Sequence, residues 1–366
     1  MYFLTVITLL VVALYNTEAN VIKQLPEACD GGYCLPKHLC PSGTIEDVPT
    51  MERNNRLTLQ VDGPNECGDF MKICCKGPSS SFENIPTSMY EVTQGDYKCG
   101  MSNPEGLVYD VESNLTYAKY AEFPWTVAIF KMSFSSNNIE LTYVGGGTLI
   151  HPKFVVTAAH TLEKPHRYVA RFGEWNIQSD AEIYPSQDIG IEEHILHPSF
   201  GNTCTPTNDI ALAVLKQSVI YTDHIRPICL PTAQDALDAE RCIATGWGTD
   251  SRTKQLPPIM KRVELNVVPR GLCQMLYRLA DGDQYFDLHR SSLCAGAVAG
   301  QDTCDKDGGT PMACPREDGS YALVGITSWG LECGRTDAPG VYVDVSKFVC
   351  WINNTIEGYE ELHAEE

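Results

Sequence analysis

The residues whose types could do chemistry are a histidine, an aspartate and a glycine-rich segment between two cysteines. His160 ends "TAAH", Asp209 sits in "NDIAL", and "CDKDGGTPMAC" runs from Cys304 to Cys314. A histidine steadied by a carboxylate can take a proton from a hydroxyl or thiol and return it to a leaving group. Such a pair needs a nucleophile beside it. The centre of the segment offers Gly308 and Gly309, and glycine has no side chain with which to attack a carbonyl. The proton-accepting half of the chemistry is present and the attacking half is missing.

The elements that must hold these residues are short. From Cys99 onward, β-branched and aromatic runs alternate with turn signals: "WTVAIF", "GGTLIHPKFVVTAAH", "RYVARFGEW", "IALAVL", "YALVGITSWG" and "GVYVDV". That rhythm predicts an all-β barrel or sandwich. One segment departs from it. "VSKFVCWINNTI" sets Val345, Phe348, Val349, Ile352 and Ile356 at helical spacing, which predicts a C-terminal helix docked on the β body. Upstream, Cys29, Cys34, Cys40, Cys67, Cys74 and Cys75 crowd into one short stretch. A unit so small needs staples in place of a core. Neighbouring Cys74 and Cys75 must reach two different partners, but spacing alone does not choose the connectivity. Residues 77–98 are polar, rich in Ser and punctuated by Pro and Gly, and predict an exposed linker. The resulting organisation is a small module over 28–76, the linker 77–98, a large domain over 99–358 and an acidic tail over 359–366.

Composition bounds the setting. The chain has 366 residues, 43% of them hydrophobic, so a sizeable core can be built. Residues 1–19 carry an apolar run from Phe3 to Leu14 and a small residue at Ala19, the pattern of a secretory signal peptide cut after Ala19. The run is too short to span a bilayer, and no other stretch is long enough. Sixteen cysteines, an even number, fit an oxidising compartment. Asn114 and Asn353 head glycan-acceptor triplets. Formal net charge is −20, or −19 once Glu18 leaves with the signal. Such a surface repels nucleic acid and anionic lipid. It suits a basic protein partner or plain solubility.

The order His160, Asp209, then the glycine-rich loop resembles the chymotrypsin family, whose nucleophile loop reads C-x-G-D-S-G-G-P-x-x-C. "FPWTVAI" from Phe123, "RPICLP" around Cys229, "GWG" at 246–248, "SWG" at 328–330 and "PGVYVDV" from Pro339 also match. The resemblance covers roughly residues 100–358. It implies two six-stranded β-barrels with a cleft between them. The register of the loop is tight. Cys304 and Cys314 stand ten apart, Asp307 three after the first cysteine and Pro311 seven after, as in the family. The nucleophile position, four after, holds Gly308, and sliding the register to recruit Thr310 breaks the other matches. Loss of that nucleophile costs about 10⁶ in turnover. A second change falls in the same loop: the family's glycine two after the first cysteine is Lys306, which predicts a distorted oxyanion hole. A third loss lies ahead of "EFPW". Active members have a basic cleavage residue and an I-V-G-G-like run there, and the new amino terminus pairs with the loop aspartate. "VESNLTYAKYA", residues 111–121, has neither. Asp307 must then find another donor, or the loop must move outward. The resemblance thus implies a non-enzyme in which His160 and Asp209 persist as a hydrogen-bonded pair or a dyad that shapes the cleft.

The pocket is better kept. The family's pocket-base position is Asp302, and Gly330 and Gly340 match the wall glycines, as in sites for Arg or Lys. The alternative is a surface aspartate left from an ancestor. The family pattern further implies Cys99–Cys229, Cys242–Cys314, Cys273–Cys294 and Cys304–Cys333. Its bridge beside the histidine is absent, with Val144 and Thr161 in the two places. Cys204 and Cys350 are left to pair with each other.

"CDGGYCLPKHLC…CGDFMKICCK" resembles a clip domain, the disulfide module preceding many arthropod serine proteases. That family's pairing implies Cys29–Cys74, Cys34–Cys67 and Cys40–Cys75. With glycine at 308, the whole resembles the non-catalytic clip-domain serine protease homologues. The resemblance implies a secreted cofactor or adaptor in an extracellular immune cascade such as prophenoloxidase activation, with prophenoloxidase and a clip-domain protease as partners. A competitor that damps such a cascade, including a venom component, and an adhesive protein are the other readings. "RFGEWNIQSDAEIYPSQD" matches a loop that binds calcium in some relatives, which points to Glu174, Asn176, Glu182 and Asp188; the other reading is a solvated acidic loop. No cofactor is otherwise implied.

Overall fold

A short run such as Ala211–Leu215, buried at every residue, suits an inner strand, and in the computed structural model it lies between two others in a closed barrel. The structure describes residues 27–30, 32–40, 57–60, 65–76, 97–112, 117–135, 138–201, 205–232, 235, 241–250, 253–296, 303–333, 335 and 337–364. The signal segment, Asn114, Cys204, Asp302 and the linker up to residue 96 lie outside them.

The small module holds β1 (Ala28–Cys29), β2 (Gly32–Pro36), β3 (Leu57–Gln60) and β4 (Lys72–Lys76), with β1, β2 and β4 in one antiparallel sheet. Its bridges are Cys29–Cys74, Cys34–Cys67 and Cys40–Cys75. β3 leaves that sheet and pairs in parallel with β5 (Tyr109–Glu112), a strand of the large domain. Leu59 and Met71 are buried in the same core as Tyr109 and Trp175. The edge of Phe70 meets Trp175 at 6.4 Å between ring centroids. Ser179 Oγ donates to Asp69 Oδ2 at 2.6 Å. The module is therefore packed against the large domain through apolar residues that it cannot bury within itself.

The large domain has two sheets. β6 (Thr126–Ser135), β7 (Asn138–His151), β8 (Phe154–Thr157), β9 (Arg167–Phe172), β10 (Gln187–Leu196) and β11 (Ala211–Leu215) form a closed barrel in the order β10-β11-β8-β7-β6-β9. The second sheet has β12 (Cys242–Gly246), β13 (Lys261–Leu265), β14 (Val267–Val268), β15 (Ser292–Ala295), β16 (Pro311–Pro315), β17 (Tyr321–Trp329) and β18 (Gly340–Asp344), ordered β13-β12-β16-β17-β18-β15-β14. Its two ends, β13 and β14, are one stretch of chain bent at Asn266. Counted so, it is a barrel-like sheet of six strands, with one strand serving both edges. Among the described residues the body also carries the helices α1 (Ala159–Leu162), α2 (Arg270–Asp281) and α3 (Val349–His363). α3 is longer than expected. It runs through His363, so most of the segment read as an acidic tail is helix; Tyr359 holds it down by packing edge-on against Phe154 at 5.3 Å. Among the described residues, no helix is long and apolar enough to cross a membrane.

Candidate functional site

The cleft is built where β7 of the first barrel meets the 304–314 loop of the second. Gly146 N–H donates to Gly308 O at 3.0 Å, and a side chain at Gly145 or Gly146 would collide with that loop. The glycine triplet in β7 is thus a close approach of two backbones. α1 carries His160, and the turn before β11 carries Asp209. His160 Nδ1 lies 2.7 Å from Asp209 Oδ2, and His160 N–H donates to Asp209 Oδ1 at 2.9 Å. Ser328 Oγ, from β17, donates to Asp209 Oδ2 at 2.6 Å. Burial pushes the Asp209 carboxyl up, but the His160 bond and charge, with Ser328, outweigh it and hold it below the usual range. Burial likewise opposes charge on His160, yet Asp209 prevails and raises its pKa. The dyad is intact and polarised.

Position 308, which faces His160 Nε2, offers no hydroxyl. A Cβ built on Gly308 would fall inside contact distance of His160 Nε2, so the ring occupies room that a larger residue would need. Thr310 does not substitute. It is fully buried, its Oγ1 donates to Asp307 O at 2.7 Å, and it pairs with Thr327 Oγ1 at 2.9 Å. Thr161, one of the two residues in place of the family's bridge, donates to Gly308 O at 3.3 Å.

Lys306 takes a glycine-like backbone in this turn. Its φ is 69°, the left-handed conformation that glycine would adopt. The turn is kept because Asp307 N–H donates to Cys304 O at 2.9 Å and the Asp307 carboxylate takes Cys304 N–H at 2.8 Å. These bonds outweigh a strain of about 1–2 kcal/mol.

The question of a donor for Asp307 is also answered. Its carboxylate, 1% exposed, accepts Gly248 N–H at 2.7 Å and Lys261 Nζ at 2.8 Å. The loop stays inward, and the cation comes from β13. Sequence reasoning missed Lys261 and Ser328. Ser328 stood in the "SWG" match, whereas Lys261 belongs to no motif.

His160, Gly308, Gly330 and Gly340 line one cavity of about 220 Å³ together with Lys306 and Trp329. His160 and the pocket walls therefore share a single space; Asp302, the expected base, is outside the described residues. The bridges Cys99–Cys229, Cys242–Cys314, Cys273–Cys294 and Cys304–Cys333 are formed. Cys350 is exposed and has no bridge among the described residues, and its expected partner Cys204 lies outside them. Asn353 is exposed on α3.

The four acidic-loop residues do not converge. Glu174 is buried and Glu182 half-buried; burial raises both carboxyls, and for Glu182 the charge of Glu174 adds to it. Asn176 N–H donates to Glu182 Oε1 at 3.0 Å. Asp188 instead spends both oxygens on Arg171, at 2.6 and 2.7 Å, and Arg171 also reaches Glu174 at 3.2 Å. A guanidinium already neutralises two of the four donors, so they do not fit calcium as one set, and no step is routed through the ion. Among the described residues, the three groups close enough to hold a metal are Cys29, Cys34 and Cys67, all bridged.

Comparison with known proteins agrees with this geometry. Residues 114–352 match the trypsin family. The chain is 48% identical over 333 residues, 91% of this chain and 90% of the relative, to inactive CLIP domain-containing serine protease A8 of Anopheles gambiae. It is 40% identical to inactive CLIP domain-containing serine protease A28 of the same mosquito, covering 90% of this chain and 89% of the relative. It is 39% identical to phenoloxidase-activating factor 2 of Galleria mellonella, over 71% of this chain and 89% of that one. With glycine beside an intact dyad and relatives named inactive, the chain belongs to the trypsin family as a non-catalytic clip-domain serine protease homologue.

Proposed function

We propose that the protein is a secreted adaptor in an extracellular protease cascade of arthropod immunity, bringing a clip-domain protease and prophenoloxidase together. The observation that carries this reading is a cleft with its walls and dyad retained and its nucleophile replaced by Gly308. Such a cleft can hold a chain without cutting it, because binding and attack use separate parts. A relative named for phenoloxidase activation supports the pathway. The net charge of −20 favours basic partners. The test is prophenoloxidase activation by its cognate protease with and without the purified protein, with a control lacking the protease. A protease-dependent rise is expected. A fall would make the protein a competitor, and no change would remove it from this pathway.

A further inference from the structure

We propose that Lys261 is the positioning residue for the glycine loop: its ammonium holds Asp307 inward, so the cleft is assembled in the uncut chain. The Asp307 carboxylate is buried and gathers Gly248 N–H, Cys304 N–H and Lys261 Nζ. Two of these donors are neutral. A carboxylate taken out of water needs a cation beside it as well as hydrogen bonds, or it moves back to solvent and takes its loop along. Lys261 supplies that cation while only 12% exposed, and its Nζ also donates to Thr249 O at 3.2 Å.

The delivery is rigid. Lys261 faces Gly246 across the β12–β13 pair and forms an isolated bridge to Tyr117. Its backbone is held by a strand on one side and by the Tyr117 bridge on the other, so the side chain arrives from a preset point. Gly246 and Gly248 keep the space open, since a Cβ on either would strike the Asp307 carboxylate. The chain upstream is committed elsewhere: Tyr109–Glu112 is a strand paired with Leu57–Gln60. An amino terminus generated near there would find its carboxylate already neutralised. The ion pair therefore acts as a fixed internal latch, and a buried pair of this kind is most useful for specifying one conformation.

The experiment uses the full chain and reads hydrogen exchange at the amides of Asp307 and Gly309, which donate to Cys304 O and Thr327 O at 2.9 Å each. In uncut wild type these amides are expected to be protected. In Lys261→Met their exchange should rise by about tenfold or more while the first barrel keeps its protection. In Lys261→Ala, ethylammonium should restore protection and tetramethylammonium at equal ionic strength should not, because only the former can donate hydrogen bonds to the carboxylate. If Lys261→Met does not accumulate folded, the Lys261→Met/Asp307→Asn chain leaves no stranded charge and should fold with a fast-exchanging loop. Protection unchanged in either variant would overturn the proposal. So would ethylammonium having no effect, or wild-type amides that become protected only after the chain is cut.

Discussion

A serine at position 308 would not be a repair. The Cβ it brings would press on His160 Nε2, and the ring cannot swing clear without leaving Asp209. Gly308→Ser should therefore cost about 1–3 kcal/mol of stability, the usual range for overpacking. It should also show no hydrolysis of Arg or Lys esters above the rate of the parent chain. Ester turnover that appears with this single change would show that the glycine alone disables the site. Lys306 behaves in the opposite sense. Its left-handed backbone carries about 1–2 kcal/mol of strain that glycine would relieve. Glycine would also loosen the unfolded chain, by about 0.4–1 kcal/mol. Lys306→Gly should thus gain about 0.5–1 kcal/mol, read by urea unfolding with the disulfides intact. A loss would mean that the lysine side chain makes a compensating contact in the cleft.

At the scale of elements, the dyad is a tie between the barrels. α1 and the turn before β11 hold His160 and Asp209 in the first, and β17 brings Ser328 from the second. The tie depends on pH with a definite sign. His160 is raised in the folded state, so its contribution is full below about pH 6.5 and is lost as pH rises through the raised value. Asp209 is lowered, so its contribution is present above about pH 4 and is lost as pH falls through the lowered value. The stability difference between wild type and Asp209→Asn should therefore be largest near about pH 5.5 and shrink toward about pH 9. A difference that is flat across this range would show that the pair carries no charge-assisted bond. Much of this arrangement was legible beforehand. Runs such as "IALAVL" became buried strands because β-branched and small residues fit a two-sided interior, and the loop cysteines located Gly308 by spacing. Lys261 was not legible. In "IMKRVEL" it looks like any lysine on a half-exposed strand, and only the fold brings it to a carboxylate 46 residues away. Leu59 and Met71 were hidden in the same way. Apolar residues in a stapled module read as its own core, and nothing local says that they are buried against another domain.

Those two residues help to join the small module to the large domain. All three bridges of the small module close inside it, so no disulfide among the described residues ties it to the large domain. After a cut between residues 77 and 96, what remains is the parallel β3–β5 pairing, the burial of Leu59 and Met71, the Phe70–Trp175 contact and the Ser179–Asp69 hydrogen bond. Each fully buried Leu or Met contributes about 1.5–3 kcal/mol. The exposed Lys72–Asp180 pair, at 3.5 Å, adds little. While the linker is whole, docking is intramolecular and favoured by a high effective concentration; once it is cut, the apolar contacts must stand alone against the entropy of two free chains. They are expected to suffice. With an engineered protease site inside residues 77–96, the two fragments should co-elute on gel filtration at micromolar concentration without reductant, although the fragments separate in denaturant. Leu59→Asp, which puts an unpaired charge into the shared core, should let them come apart under the same conditions. Fragments of the wild-type chain that elute separately would show that the linker, and not the interface, keeps the module in place, and that cutting it sets the module free.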